Sequence, residues 1–449
     1  MSAQTLRIGC GAGFSSDRLD PALDLAKRGE LDALVFECVG ERTLAFGHRD
    51  RMQNPQRGYN PFLERRFRAV LEPCVRAGTV IITNMGVANP RAAAQRTIDV
   101  ARELGLHGLK VAAIEGDDVT TLMSGDTPLW EGMTIAESGR TLVAANAYLG
   151  ADPMLTALQQ GAQVIITGRV ADPSMFLAYM RFRFGWSEQD WQHLGAGTLI
   201  GHLLECAGQI TGGYHADPGV KDVEGLANLG FPYAEVSADG SAVITKLSDT
   251  GGQVTARTVK EQMFYEVHDP QHYMTPDVTA DFAGVHIDSL ATDRIHISGA
   301  GGTERPRQLK ATVAFDGGFL AEAGVSYAGA GAVARARLSG EIVTERMRSV
   351  HGVDAEVRVD LIGVDSLHSS AHEAQAEHEA MVKDVRLRCA MRAENTDTAG
   401  LLLWELEALL CCGPAGGGGY RGTVTPSVIT CSASVDREAV HPTVEILHA

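Results

Sequence analysis

Along the first 220 residues, short continuous apolar runs alternate with stretches whose apolar residues recur every third or fourth position. The runs are Leu6–Gly11, Ala33–Cys38, Thr79–Thr83, Leu109–Ile114 and Gln163–Thr167. Unbroken runs of this length fit strands buried on both faces, as in a parallel sheet. Between them, Ala22, Leu25 and Ala26 share a helical face, as do Leu63, Phe67, Val70, Leu71 and Cys74, and Ala94, Ile98, Ala101 and Leu104. Helices are also expected over 173–184 and 197–208. Asp20-Pro21, Asn89-Pro90, Asp152-Pro153 and Asp172-Pro173 each stand where a helix should open. Proline suits the first helical turn and an Asx side chain caps it, so Asp20, Asp152 and Asp172 read as helix caps. Residues 48–61 read as a polar, turn-rich loop, and 119–150 as a lid or insertion.

The texture changes near residue 230. Asp239-Gly240 separates AEVS from AVITKL, and Asp316-Gly317-Gly318 separates LKATVAF from FLAEAGVSYA, so both read as hairpins. Helices are expected over Ala332–Met347, Glu373–Arg386 and Leu401–Leu410, and strands over Ala355–Leu361 and Val424–Ser434. The fold class that follows is α/β: an open, mainly parallel sheet with helices on both faces over 5–220. A closely packed α+β domain is expected over 221–449.

Length and composition narrow the function. The 449 residues suffice for more than one core, and a net charge of −17 disfavours nucleic acid and anionic membrane surfaces as partners. An anionic small molecule remains compatible, because a few arginines can be focused in one pocket. The eight cysteines include no C-x-x-C pair and several occupy apolar positions, which fits a reducing, cytoplasmic setting. The first residues do not read as a signal peptide, and Leu401–Cys412 is too short and too charged to span a bilayer.

Loops after parallel strands gather at one edge of the sheet, where α/β proteins bind ligands. Here they carry Gly11, Gly13 and Ser15; Glu37 and Glu41; Asn84 and Gly86; Glu115, Asp117 and Asp118; and Arg169 and Asp172, the last more simply a cap. Chemistry at a carbon beside a carboxylate or thioester needs a base for the proton and a cation or amide for the developing oxyanion. Glu37 and Glu115 are the acid/base candidates, because they follow apolar strands without a capping role. Arg169 is the carboxylate or oxyanion holder. Gly11, Gly13, Ser15, Asn84, Gly86 and Asp117 are candidates for substrate binding. Gly9-Cys-Gly-Ala-Gly13 is not a dinucleotide turn, since the next helix opens too late. His202 is a further acid/base candidate. His202 and Glu205, three apart on a helix, could hold a divalent metal with His215, although a packed histidine explains the pair more simply. The loop Gly416–Gly419 with Tyr420 and Arg421 reads as a lid bringing Arg421 to a ligand, or as a plain surface loop.

Several long stretches resemble the acyclic terpene utilisation AtuA family. They are RIGCGAGFSSDRLDPALDLAKRGELDALVFECVGERTLA (7–45), ITNMGVANP (82–90), ITGRVADPSMFLAY (166–179), GAGTLIGHLLECAGQITGGYHADPGVKDVEGLANLGFP (195–232), SAVITKLSDTGGQVTARTVKEQMFYEVHDP (241–270) and VSYAGAGAVARARL (325–338). The resemblance implies a bacterial catabolic context, beside acyl-CoA carboxylases and enoyl-CoA hydratases of branched-acid breakdown. Some members continue into a ferredoxin-like domain, which either a separate small partner subunit supplies here or this member does without. The resemblance assigns no catalytic residue. The expectation is therefore a cytoplasmic, homo-oligomeric catabolic enzyme, lyase-like (a hydro-lyase). It would act on a small carboxylic acid or branched acyl-CoA by proton abstraction or hydration/dehydration. The CoA thioester enters as substrate, and no bound cofactor is expected beyond the metal alternative. The other reading is a non-catalytic scaffold or partner subunit of an acyl-CoA carboxylase or hydratase complex.

Overall fold

The computed structural model describes residues 5–367 and 381–449. The chain divides into two compact units, Met1–Ala314 with Thr430–Ala449, and Phe315–Ile429. In the first unit the strands are β1 (Leu6–Ala12), β2 (Ala33–Phe36), β3 (Val80–Thr83), β4 (Lys110–Glu115), β5 (Leu142–Ala147) and β6 (Val164–Thr167). They continue with β7 (Pro232–Val236), β8 (Ala242–Lys246), β9 (Tyr273–Met274), β10 (Thr279–Asp281), β11 (His286–Ala291), β12 (Arg294–Ser298) and β13 (Gly301–Thr303). Next come the long β14 (Gln308–Ala328), β15 (Val357–Ile362), β16 (Asp384–Ala393), β17 (Gly418–Asp436) and β18 (Thr443–His448).

The principal sheet has ten strands in the order β11-β12-β8-β7-β1-β2-β3-β6-β4-β18. Its centre, β1-β2-β3-β6-β4, is parallel throughout. One register line runs Cys10–Val35–Ile82–Ile165–Ala112, so the carboxyl ends of these strands align along one edge. The apolar runs form strands because both faces are covered. Helices α1 (Asp20–Arg28), α3 (Leu63–Ala77) and α4 (Pro90–Glu103) pack on one face. Helices α5 (Asp152–Gln159), α6 (Asp172–Phe184) and α7 (Trp191–Glu205) pack on the other. The chain leaves β3 toward the first face and β6 toward the second, although the two strands are neighbours. Such a divergence is where an open α/β sheet usually binds its ligand, in the crevice outside the strand ends.

Three expectations are corrected. The sheet does not end near residue 220: β7 pairs antiparallel with β1, and β8, β12 and β11 extend the same sheet. The compact units divide after Ala314 instead. The Asp239-Gly240 hairpin is present, joining β7 to β8, but Asp316-Gly317-Gly318 is no hairpin and lies inside the continuous β14. There Gly318 takes φ 63 and a Cβ on Gly317 would press on the Ser427–Val428 backbone at 2.9 Å. The glycines serve a strand irregularity and a close backbone approach, the other use of glycine in strands. Of the loop expected over 48–61, residues 48–53 belong instead to α2 (Glu41–Gln53). The helix α2 carries few apolar residues, so its periodicity is faint.

The second unit is a sheet ordered β15-β16-β14-β17, covered by α8 (Ala332–Ser349) and α9 (Thr396–Cys412). Its core is formed by Val325, Tyr327, Leu387, Cys389, Leu402 and Leu406. The helix expected over Glu373–Arg386 lies largely outside the described residues, and Asp384–Arg386 already belong to β16. Among the described residues no helix is long and apolar enough to cross a membrane.

Candidate functional site

Glu37, Asn84 and Arg169 meet at the crevice between β3 and β6. Asn84, fully buried after β3, accepts the Cys38 N–H at 2.7 Å and donates to Glu37 Oε1 at 3.1 Å. The Val39 N–H donates to the same Glu37 oxygen at 2.8 Å. No described residue hydrogen-bonds Glu37 Oε2. Beneath this loop, Val39, Leu44 and Val87 form a small apolar cluster, with Val87 held at φ 51. A β-branched residue is disfavoured there, so packing holds the turn in place.

Arg169 is the cation of the site, with its side chain only 4% exposed. Its Nη1 donates to the Val39 carbonyl. Its Nη2 donates to both oxygens of Asp172, at 3.1 and 3.2 Å. The guanidinium lies 4.0 Å from the centroid of the Tyr148 ring. Its Nε is buried and has no partner. The Arg169 backbone N–H donates to Asp117 Oδ2 at 2.7 Å, which also accepts Asn146 Nδ2 at 2.9 Å. Gly168 is required for this: a Cβ there would lie 2.5 Å from the Asp117 carboxylate. Asn146 Oδ1 in turn meets His48 Nε2 at 2.7 Å. Glu41, at the start of α2, accepts the Tyr148 hydroxyl at 2.8 Å and faces Lys310 Nζ at 3.5 Å.

The carboxyls around Arg169 titrate far apart. Burial, together with the charge of Asp172, pushes Glu37 up to about 8, against the pull of Arg169 and the Val39 and Asn84 hydrogen bonds. Burial also raises Asp172, although Arg169 opposes it. Asp117 is pushed up to about 6 by burial, against its hydrogen bonds. In Glu41, burial is outweighed by its own backbone amide, the Tyr148 hydroxyl and the charges of Arg169 and Lys310, which hold it at about 2.

Asp172 does not cap its helix. The α6 N-cap is Ala171, without a side-chain capping bond, and Asp172 turns to Arg169 instead. Asp152 likewise makes no cap and pairs with Arg181 and Arg305, and Asp20 makes no capping bond either. Of the four Asx-Pro pairs, Asn89 alone caps, accepting the Ala92 N–H at 3.3 Å.

Several other expected residues have different surroundings. Glu115 ends β4 half-buried in register with Thr443 of β18, and no described residue hydrogen-bonds its side chain. The chain turns at Gly116 (φ 104), and Asp117 rather than Glu115 reaches Arg169. Gly11 is packed against the Phe36 ring, and Gly86 against Thr167 and Pro90. The Gly13 N–H is taken by Asp17 at 2.9 Å, and the Ser15 hydroxyl meets Asn60 Nδ2 at 3.0 Å. These positions shape the loops and leave no free amide cradle at Gly13. A Cβ on Gly13 would lie 2.5 Å from the Cys206 backbone. Because backbone cannot yield cheaply, Gly13→Ala is expected to cost about 1–3 kcal/mol, read as a lower urea midpoint at unchanged slope. Arg421 lies in the second unit, exposed, donating to the Tyr420 carbonyl at 2.7 Å.

The metal trio does not assemble. His202 Nδ1 meets Glu205 Oε1 at 3.0 Å, whereas His215 Nδ1 is turned to Glu261 at 2.6 Å. Among the described residues no group of three or more His, Cys, Asp or Glu is placed to hold a metal ion. The donor left unpartnered at this edge is the buried Arg169 Nε.

No curated protein and no solved structure matches the chain. A family model described as acyclic terpene utilisation family protein AtuA matches residues 6–446 of the 449, and the chain belongs to that family.

Proposed function

We propose that this strand edge catalyses proton transfer at a carbon next to a carboxylate or thioester carbonyl. The overall reaction would be a lyase-like hydration or dehydration of a small carboxylic acid or branched acyl-CoA. Family membership suggests a role in acyclic terpene utilisation, and this chemistry is compatible with it. The observation that carries the reading is Glu37, a buried carboxyl held by one oxygen beside a buried guanidinium. With its pKa at about 8, the ionised fraction of Glu37 grows through the physiological range, where a general base is effective. Its carboxylate would take the proton from the α-carbon. The charge that then develops on the carbonyl oxygen would be met by the Arg169 Nε–H, whose fixed position costs no reorganisation. Low polarity around the guanidinium makes that interaction stronger than in water.

The test is wash-in of solvent deuterium at the α-carbon, followed by mass spectrometry. The probes are free 3-hydroxy acids and their CoA thioesters, both straight-chain and 3-methyl-branched. Exchange is expected to rise with pH and level off above about 8. No exchange with any probe would remove the enzymatic reading and leave the role of a partner subunit.

A further inference from the structure

A second carboxyl reaches the same edge from α7. Gly201 of α7 lies against Pro173, where a Cβ would meet the Pro173 backbone at 2.7 Å. The end of α7 lies against β1 and its turn, since Cys10 Sγ contacts the Glu205 carbonyl at 3.6 Å and Gly13 abuts Cys206. These contacts set the last turn of α7 beside Asp172, the partner of Arg169. Glu205 stands on that turn and is 9% exposed. Its Oε1 meets His202 Nδ1 at 3.0 Å, and its Oε2 is buried without a partner. His202 is held by the Tyr273 and Phe282 rings, with centroids 5.2 and 6.0 Å away. Its carbonyl accepts Gln262 Nε2 at 3.2 Å, and its Nε2 is buried without a hydrogen-bond partner.

We propose that Glu205, positioned by His202, is the second proton-transfer group of this site, acting as the acid that protonates a β-hydroxyl while Glu37 removes the α-proton. The proposal rests on the reading of Glu37 given above. The charges that reach Glu205 are Asp172 and Glu266, which oppose its ionisation, and Arg169, which favours it. Burial is the largest influence and, with those carboxylates, holds Glu205 well above the usual carboxylate range, hence as a proton donor. Burial brings His202 down to about 4, so it stands neutral beside the acid and orients it. In dehydration the α-C–H bond breaks toward the Glu37 carboxylate. The electron pair forms the C=C bond, the β-C–O bond breaks, and the oxygen leaves as water with the Glu205 proton. Hydration is the reverse, and neither direction needs an oxidant or reductant.

The experiment compares deuterium wash-in with loss of water from the same 3-hydroxyacyl probes. Glu205→Gln is expected to slow water loss about 100-fold or more and wash-in far less. In the parent protein, wash-in should show one ascending pH limb, and water loss a second, descending limb as Glu205 ionises. His202→Gln should move that descending limb, which a merely structural histidine would not do. Equal loss of both activities in a folded Glu205→Gln protein, full retention of both, or identical pH profiles in the parent would overturn the assignment. Absence of wash-in in the parent protein is a different result and is the failure of the Glu37 reading itself.

Discussion

Replacing Arg169 with alanine should destabilise the protein by about 3 kcal/mol at pH 8, the lower end of what breaking a buried ion pair costs. The lower end applies because Asp172 keeps 29% of its side chain exposed. The cation holds the Val39 carbonyl and both Asp172 oxygens, and it is the main favourable charge acting on Glu37. Without it, two neighbouring carboxyls are left in a poorly solvated crevice, and each is pushed further toward its neutral form. Such groups retain their stability contribution below their unfolded pKa and lose it as pH rises through the folded one. The deficit of Arg169→Ala should therefore be smaller at pH 6 than at pH 8 in urea titrations. An Arg169→Ala, Asp172→Asn double variant should recover part of the loss at pH 8. A deficit below about 1 kcal/mol at pH 8, unchanged by pH, would mean that the pair is solvated and not part of a closed site.

Glu37→Gln should have the opposite effect on stability and the largest effect on rate. Glutamine keeps the shape and still accepts the Val39 and Asn84 hydrogen bonds, but it cannot take a proton. Deuterium wash-in should fall about 10²- to 10⁴-fold, the usual worth of a positioned base. The folded pKa of Glu37 is raised from the ordinary 4.5 to about 8. Its contribution to stability is fully present below about 4.5 and is lost as pH rises through about 8. Across that window the parent protein should lose on the order of a few kcal/mol relative to Glu37→Gln, since each tenfold change in proton affinity is worth about 1.4 kcal/mol. Urea midpoints at pH 5, 7 and 9 read this directly. Parallel midpoints across the three pH values would show that Glu37 is ordinary.

The parallel core was legible because β2, β3 and β6 are unbroken apolar runs, a pattern imposed by helices on both faces. The grouping of Glu37, Asn84 and Arg169 followed from it, since strand ends in one parallel sheet share an edge. What was hidden is mostly a matter of side-chain direction. An Asx-Pro pair reads as a cap, but with aspartate as the first helical residue, as in Asp172, the carboxylate is free to turn to an arginine three residues earlier. Glu115 and Asp117 differ only by the turn at Gly116, which a string of residues does not display. Gly13 and Gly86 looked like ligand-facing glycines, yet close backbone or side-chain neighbours explain them. Glu205 stood out only through its spacing from His202, which suggested a metal pair. Its burial and unpartnered oxygen become visible only when α7 is packed against α6 and β1. Glu41 stood in the loop after β2 already, whereas Tyr148 gave no local signal, because it joins the site by stacking on Arg169.

The central claim is that Glu37 is a carboxyl poised near neutrality beside Arg169. Carbon-13 NMR of the glutamate side-chain carboxyls, recorded against pH in the parent protein and in Glu37→Gln, tests it without a substrate. The account predicts a carboxyl resonance with a midpoint near 8 that is missing from the variant and moves down in Asp172→Asn, where an opposing charge is gone. If the resonance lost in Glu37→Gln titrates near the ordinary 4.5, the carboxyl is no base for this chemistry and the account is contradicted.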